Sequence, residues 1–321
     1  MNSKNYFDLV GDKINPLSDL INSGGPLTTG SVLFVKDPSD SDYTTVKDQI
    51  GRDNLFDTIP AALTAARSDK NDWVAVCPKD SGAVWELGTA LDVSKNRVHL
   101  ISLGYTPGVH GYTNTLRGFG SAALDTEILN VTGSAVEIAG FRFLGTHGTT
   151  DDGTINLVAS FAGPNAWVHD CAIETSAVLG GTVARVASGF RADNVWFGNT
   201  AGGGAVVIGT NASRVHIKNS LFVVNARVVG DQFLVAGTGA TNYVLVEESA
   251  MVNMNSGTLV ASAVTGSATT LNPILLRNNT YVNVTQAGTD PTVFKSPVTS
   301  GTSTAVRDYG IAVGTAALIP V

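Results

Sequence analysis

A chain of 321 residues with 43% hydrophobic and 15% charged side chains is long enough for a large core and too apolar for a disordered segment. Its net charge of -7, from 27 acidic and 20 basic residues with the basic ones scattered, argues against a nucleic-acid-binding stripe. No run approaches the roughly 18 apolar residues of a membrane span, which argues against a membrane protein.

The opening "MNSKNYFDLVGDK" places acidic residues where a secretory signal needs an uninterrupted apolar segment, so assembly in a cytoplasm is expected. About a third of the acids fall in the first 60 residues, including Asp37, Asp40, Asp42, Asp48, Asp53 and Asp57, and read as a solvated face. "NPLSDLINSGGPLTTG" clusters Pro, Gly, Ser and Thr, which favours an extended arm over residues 1–53 rather than an independent domain. An arm of this kind is most easily ordered by packing on a neighbouring subunit or a larger shell.

"NLFDTIPAALTAARSDK" (54–70) reads as an amphipathic helix. Asp57 or Thr58 can cap it, Pro60 fits its first turn, and Ile59, Leu63 and Ala66 share one face. Apolar runs follow at "WVAVCP" (73–78) and "RVHLISLGY" (97–105). Cys77 and Cys171 both lie in such runs and read as buried thiols, since two cysteines make no disulfide framework.

From residue 136 onward one unit recurs: "AVEIAGFRF", "AWVHDCAIE", "FRADNVWF", "SRVHIKNSLFVVN", "NYVLVEESAM" and "PILLRNNTY". Four columns align without gaps. Val136, Ala166, Phe190, Val215, Val244 and Ile274 form the first, and Ile138, Val168, Ala192, Ile217, Val246 and Leu276, two residues on, share a strand face with it. Two residues further come Gly140, Asp170, Asn194, Asn219, Glu248 and Asn278. Asn, Asp and Gly there mark a corner, because they tolerate left-handed backbone; Glu248 is the odd member.

Three residues beyond the corner, Phe143, Ile173, Phe197, Phe222, Met251 and Tyr281 form a second inward anchor. Val98, Leu100, Ser102 and Tyr105 fit the same offsets as an earlier copy. Between copies lie further short apolar runs, such as "TVARVAS", "GAVVIGT", "QFLVAGT", "GTLVASA" and "TVFKS", so each coil carries at least two strands. Steps of about 28 residues with Gly, Ser, Thr and Asn at the bends predict an all-β solenoid: a right-handed parallel β-helix over 54–300, capped by the helix. "RDYGIAVGTAALIPV" places a short apolar cap or tail in 301–321.

With these residues in view, "LFDTIPAALTAARSDKNDWVAVCP" followed by coils of the type "VHIKNSLF" resembles the pectin-lyase-like superfamily of right-handed β-helices. The resemblance implies the fold; the scaffold hosts lyases, hydrolases, esterases, phage tailspikes and inert virion proteins, so chemistry has to be sought residue by residue. Glycoside hydrolysis needs paired carboxylates about 5 to 9.5 Å apart, and Asp170 with Asp193, or Asp151 with Asp152, are the pairs on offer. Asp170 occupies the corner column, Asp193 points out of its coil, and Asp151-Asp152 sits in a run that reads equally as a loop.

The resemblance to polygalacturonase-like hydrolases would pair the acids with Gly-His-Gly and Arg-x-Lys elements. Here "GVHG" (His110) lies far upstream, and "RVHIK" spaces Arg214 and Lys218 too widely. His99, His169 and His216 are read as one outward column between the two inward ones, and His110 and His147 fall elsewhere. None of this is metal spacing, so no metal or cofactor is expected.

Without a catalytic set, the expected function is structural: a phage capsid decoration (cement) protein, bound by its arm to the major capsid protein or other virion proteins, at the virion surface after assembly in the host cytoplasm. A homotrimer is expected by analogy with β-helix appendages. The alternative is a tailspike or receptor-binding protein that binds or cleaves a polysaccharide of the host surface.

Overall fold

Alternating strands can bury one face only by stacking on neighbours, and among the described residues every strand pairing is parallel, between successive coils. The computed structural model describes residues 30–51, 53–80, 84–104, 114–118, 127–145, 157–175, 182–199, 205–210, 212–225, 233–236, 242–255, 264–265 and 274–282. Among these, strands form three parallel sheets. The first runs Leu55–Phe56, Val32–Val35, Trp73–Val76, His99–Ser102, Glu137–Ala139, Trp167–His169, Arg191–Asp193, Ser213–Lys218, Asn242–Glu247 and Ile274–Arg277.

The second sheet stacks Trp85–Leu87, Asn114–Gly118, Phe141–Gly145, Ala172–Thr175, Trp196–Asn199, Leu221–Val224, Ala250–Asn253 and Thr280–Val282. The third stacks Leu91–Val93, Leu129–Val131, Ala159–Phe161, Ala184–Val186, Val206–Ile208, Leu234–Ala236 and Val264–Thr265. The chain passes third, first, second and third again, about 4.8 Å further along the axis per coil. This is a right-handed parallel β-helix with three strands per coil.

The inward columns are as expected. Val136, Ala166, Phe190, Val215 and Val244 are buried, as are Ile138, Val168, Ala192, Ile217, Val246 and Leu276. Phe143 pairs with Ile173, Ile173 with Phe197, Phe197 with Phe222 and Phe222 with Met251; the Phe197 and Phe222 rings stack 5.2 Å apart. The six corner residues all have positive φ: Gly140 80°, Asp170 54°, Asn194 55°, Asn219 49°, Glu248 52° and Asn278 54°.

One further inward column follows the corner directly, and its chemistry changes along the axis. Phe141, Cys171 and Val195 are apolar, whereas Ser220, Ser249 and Asn279 are polar and equally buried. Buried hydroxyls need partners. They find them coil to coil: Val195 N donates to Ser220 Oγ at 3.2 Å, Ser220 N to Ser249 Oγ at 3.1 Å and Ser249 N to Asn279 Oδ1 at 3.0 Å. The Asn279 amide then donates to the Val246 carbonyl at 2.9 Å.

The early copy departs from the expected offsets. Val98 and Leu100 are buried, but Ser102 ends its strand and accepts from Asn114 Nδ2 at 3.0 Å, and the left-handed residue is Gly104. Leu116, not Tyr105, stands in the Phe143 ladder; Tyr105 lies outside the described residues. "TVFKS" and Asp151-Asp152 lie outside them as well.

Helix α1 spans Tyr43–Ile50 and α2 spans Ile59–Ala65. Thr58 caps α2: its Oγ1 accepts from Ala61 N at 3.3 Å, and Pro60 needs no N–H partner in the first turn. Ile59, Ala62, Leu63 and Ala66 are buried against the end of the coil, so α2 closes the core at the end where, among the described residues, no further coil covers it. Just beyond it Asp72, fully buried, accepts from Ser31 N at 2.7 Å, Arg67 N at 2.8 Å and the Arg67 guanidinium at 2.8 and 2.9 Å. The hydrogen bonds from Arg67 hold its carboxyl down to about 2.

The sheet begins at Val32, within the segment the composition sets apart as an arm, because Val32–Val35 pairs residue by residue with Trp73–Val76. Helix α1 lies outside the barrel, where Val46 and Ile50 join Ala75, Cys77, Leu103, Phe34 and Trp73 in a second small core. Lys36 is buried with its ammonium 3.0 Å from Asp40, 2.7 Å from Asp42 and 2.6 Å from the Pro78 carbonyl. Burial alone would lower its proton affinity, but the two aspartates raise it instead. This lock ties residues 36–42 to the coil edge at 78–80.

Candidate functional site

Side chains of the first sheet that do not point inward form two outward columns, fixed by register. The first takes His99, Glu137, Trp167, Arg191 and His216 in successive coils. The second takes Ala139, His169, Asp193, Lys218 and Glu247. Contrary to the expectation from the sequence, His169 therefore does not share a column with His99 and His216. Trp167 is the residue between its two inward neighbours, and His169 follows the second.

The shift brings His169 into contact with the column beside it. Glu137 bridges two coils: one oxygen lies 2.5 Å from His99 Nδ1 and the other 2.9 Å from His169 Nε2. His169 Nδ1 lies 2.8 Å from Asp170, whose second oxygen accepts from Asn194 Nδ2 at 2.7 Å. Each histidine also lies against an indole: His99 is stacked on Trp73 with centroids 4.4 Å apart, and His169 is tilted by 30° against Trp167 at 4.3 Å.

Burial alone would raise the Glu137 carboxyl, yet the hydrogen bonds from His169 and His99 more than offset it and hold it down to about 2. Burial alone would likewise lower His169; its hydrogen bonds to Asp170 and Glu137 raise it to about 9 instead. At neutral pH the centre of this network is an imidazolium between two carboxylates.

Farther along the axis the pattern repeats with other residues. Asp193 meets Lys218 at 2.9 Å and accepts from Asn219 Nδ2 at 3.0 Å. Glu247 lies 2.8 Å from His216 Nε2 and is paired with the Arg277 guanidinium. His216 is lowered by burial and then by the charges of Lys218, Arg191 and Arg277. On the second sheet Arg142 holds Glu174 through two bonds of 3.0 and 3.1 Å.

Of the expected acids, Asp170 and Asp193 sit on adjacent coils and are linked through the backbone, Asp170 N donating to Asp193 O at 3.1 Å. Their carboxylates are turned to different partners, His169 and Asn194 for one, Lys218 and Asn219 for the other. Asp151, Asp152, His110 and His147 lie outside the described residues. Among the described residues no group of three or more His, Cys, Asp or Glu could hold a metal ion, and no helix is long and apolar enough to cross a membrane. Cys77 and Cys171 are buried thiols, and desolvation pushes Cys171 up to about 12, which keeps it from acting as a thiolate.

Glu137, Trp167, Arg191 and Glu247 are absent from the sequence-based set of candidates. The available signal was the alternation itself: each lies one residue beyond an inward position, so stacking aligned copies also aligns their outward faces.

No family model matches the chain, and no curated protein matches it in sequence. In structure it is similar to a pectin methylesterase variant in complex with a hexasaccharide, at 10% identity and a TM-score of 0.51 over 80% of each chain. It is also similar to a pectate lyase (11% identity, TM-score 0.48, 84% of this chain and 74% of that one). A third is the pectin methylesterase of Aspergillus niger (11%, 0.49, 89% and 92%). The likeness places the chain in one fold class, the parallel β-helix. Identities this low establish the fold alone, since one scaffold carries many activities.

Proposed function

We propose that the chain is a structural virion component: a capsid decoration protein that binds the shell through its N-terminal segment and projects a stiff, non-catalytic β-helix. The supporting observation is the state of the outward carboxylates. A general acid on this scaffold needs a carboxyl whose proton affinity is raised towards the working pH, whereas Glu137 is driven down to about 2. Asp170, Asp193 and Glu247 are each engaged by donors from the same or the next coil. Such pairs brace one coil against the next, which suits a spacer that bears load.

The test is cosedimentation with shells lacking the chain. Full-length protein is expected to bind and protein without residues 1–29 is expected not to. Binding that survives the truncation, or depolymerisation of a polysaccharide that is lost in Asp170→Asn or Asp193→Asn, overturns the reading. One observation favours the alternative of a polysaccharide-binding spike: the indole of Trp167 is 42% exposed, and an exposed aromatic face can hold a sugar ring. Glycan binding that disappears in Trp167→Ala would select it.

A further inference from the structure

Charges of opposite sign are separated along the chain. Residues 36–57 carry Asp37, Asp40, Asp42, Asp48, Asp53 and Asp57 against Lys36, Lys47 and Arg52; Lys36 is taken by Asp40 and Asp42, and Asp37 by Lys79. Asp48, Asp53 and Asp57 are exposed, near the connection between α1 and α2. Residues 185–218 carry Arg185, Arg191, Arg214 and Lys218 against Asp193 alone, and Asp193 is already taken by Lys218.

Arg191 and Arg214 come from adjacent coils, both are exposed, and neither forms an ion pair among the described residues. The depressed proton affinity of His216, due first to burial and then to Lys218, Arg191 and Arg277, reports the same positive field. Trp167 stands beside Arg191 in register. Among the described residues, only Trp167 and Met254 are large apolar side chains left exposed. Trp and Arg together are the residue types that carry most of the energy of protein interfaces.

We infer that the face formed by Trp167, Arg191 and Arg214 docks on the acidic N-terminal end, around Asp48 and Asp53, of a second copy of the chain. The two patches are complementary in sign. Guanidinium groups suit carboxylates because their planar fork can donate two parallel bonds, and the indole supplies an apolar anchor that excludes water around them. The contact joins different patches, so association is not limited to two copies: the assembly closes into a ring or stays open according to the rotation between neighbours. No shell is needed, so the contact stands or falls separately from the virion role.

The test is sedimentation velocity of the purified full chain over a range of concentrations at low and high ionic strength, with folding checked by circular dichroism. Wild type is expected to associate at low salt, with at least a tenfold weaker apparent Kd at high salt because exposed charges are screened. Arg191→Glu with Arg214→Glu is expected to sediment as a monomer, as is Asp48→Lys with Asp53→Lys. Mixing the two variants is expected to restore association, because each reversed patch then meets its complement. Trp167→Ala should weaken association about tenfold or more. A wild-type monomer at every concentration and salt overturns the inference, as does association that persists in the arginine variant or a mixture that stays monomeric.

Discussion

Among the described residues, the two bends that flank the first-sheet strands of the repeating coils adopt the same left-handed backbone with different residues. The bend after the strand uses Gly140, Asp170, Asn194, Asn219, Glu248 and Asn278, whereas the bend before it uses Arg97, Ala135, Asn165, Gly189 and Arg214, at φ of 54° to 75°. Left-handed backbone costs an ordinary L-residue about 1–2 kcal/mol and Asn or Gly less. Arg97 and Ala135 are nonetheless held there by the stack: Arg97 N donates to Ser134 O, Ala135 N to Pro164 O and Asn165 N to Ser188 O, each at 2.9 Å. The second bend does the same, with Asp170 N on Asp193 O at 3.1 Å and Glu248 N on Arg277 O at 3.0 Å. Coil-to-coil hydrogen bonds impose the conformation; residue type only adjusts its cost.

Substitutions at these bends separate the two contributions. The largest effect is expected where backbone packs on backbone in the earlier bend. A Cβ at Gly163 would lie 2.0 Å from the Gly133 carbonyl oxygen, so Gly163→Ala is expected to cost at least about 3 kcal/mol, read as a lower denaturation midpoint at unchanged m.

Next comes the ion pair beside the later bend. Glu137→Gln removes the carboxylate that His99 and His169 share, with an expected loss on the order of 2 kcal/mol near pH 6 and a fall in the His169 pKa seen by NMR titration. The pH dependence follows from the two shifts. His169, raised to about 9 from 6.5, contributes fully below pH 6.5 and loses that contribution as pH rises through 9. Glu137, lowered to about 2 from 4.5, contributes fully above pH 4.5 and loses it as pH falls through 2. Wild type should therefore draw most stability from this network between about pH 4.5 and 6.5, and Glu137→Gln should flatten both limbs of the profile. Unchanged limbs would remove the network from the account.

Smaller effects come from the left-handed residues themselves. Asn194→Ala is expected to cost about 1 kcal/mol, from left-handed strain and the lost 2.7 Å bond to Asp170, whereas Asn194→Gly keeps the backbone relaxed and should cost less. At the earlier bend the sign reverses. Ala135→Gly relieves strain of about 1–2 kcal/mol and adds about 0.5–1 kcal/mol of unfolded-chain entropy, so a gain of up to about 1 kcal/mol is expected. A loss at Ala135→Gly would mean that the stack does not strain that residue.

The later bend was legible because Gly, Asp and Asn recur there at one offset, even with Glu248 among them. The earlier bend was not, because Arg97, Ala135 and Arg214 carry no turn signal of their own. The outward network failed to appear for a related reason. Glu137 and His169 are 32 residues apart, and a one-residue misplacement of His169 moves it to a different column. The polar inward column is likewise not among the columns read from the sequence, because Ser220 and Ser249 carry no core signal of their own and only stacking buries them.

Alternation, the recurring corner and the Thr58-Pro60 helix start by themselves determined that this chain is a capped β-solenoid, because these signals are local and repeat down the chain. Which carboxylate meets which base, which residues are pressed into left-handed backbone, and where Trp167 is left uncovered were decided only by tertiary structure. Each depends on the exact register between groups 24 to 38 residues apart, which local alternation indicates only to within a residue because the loops between copies vary in length.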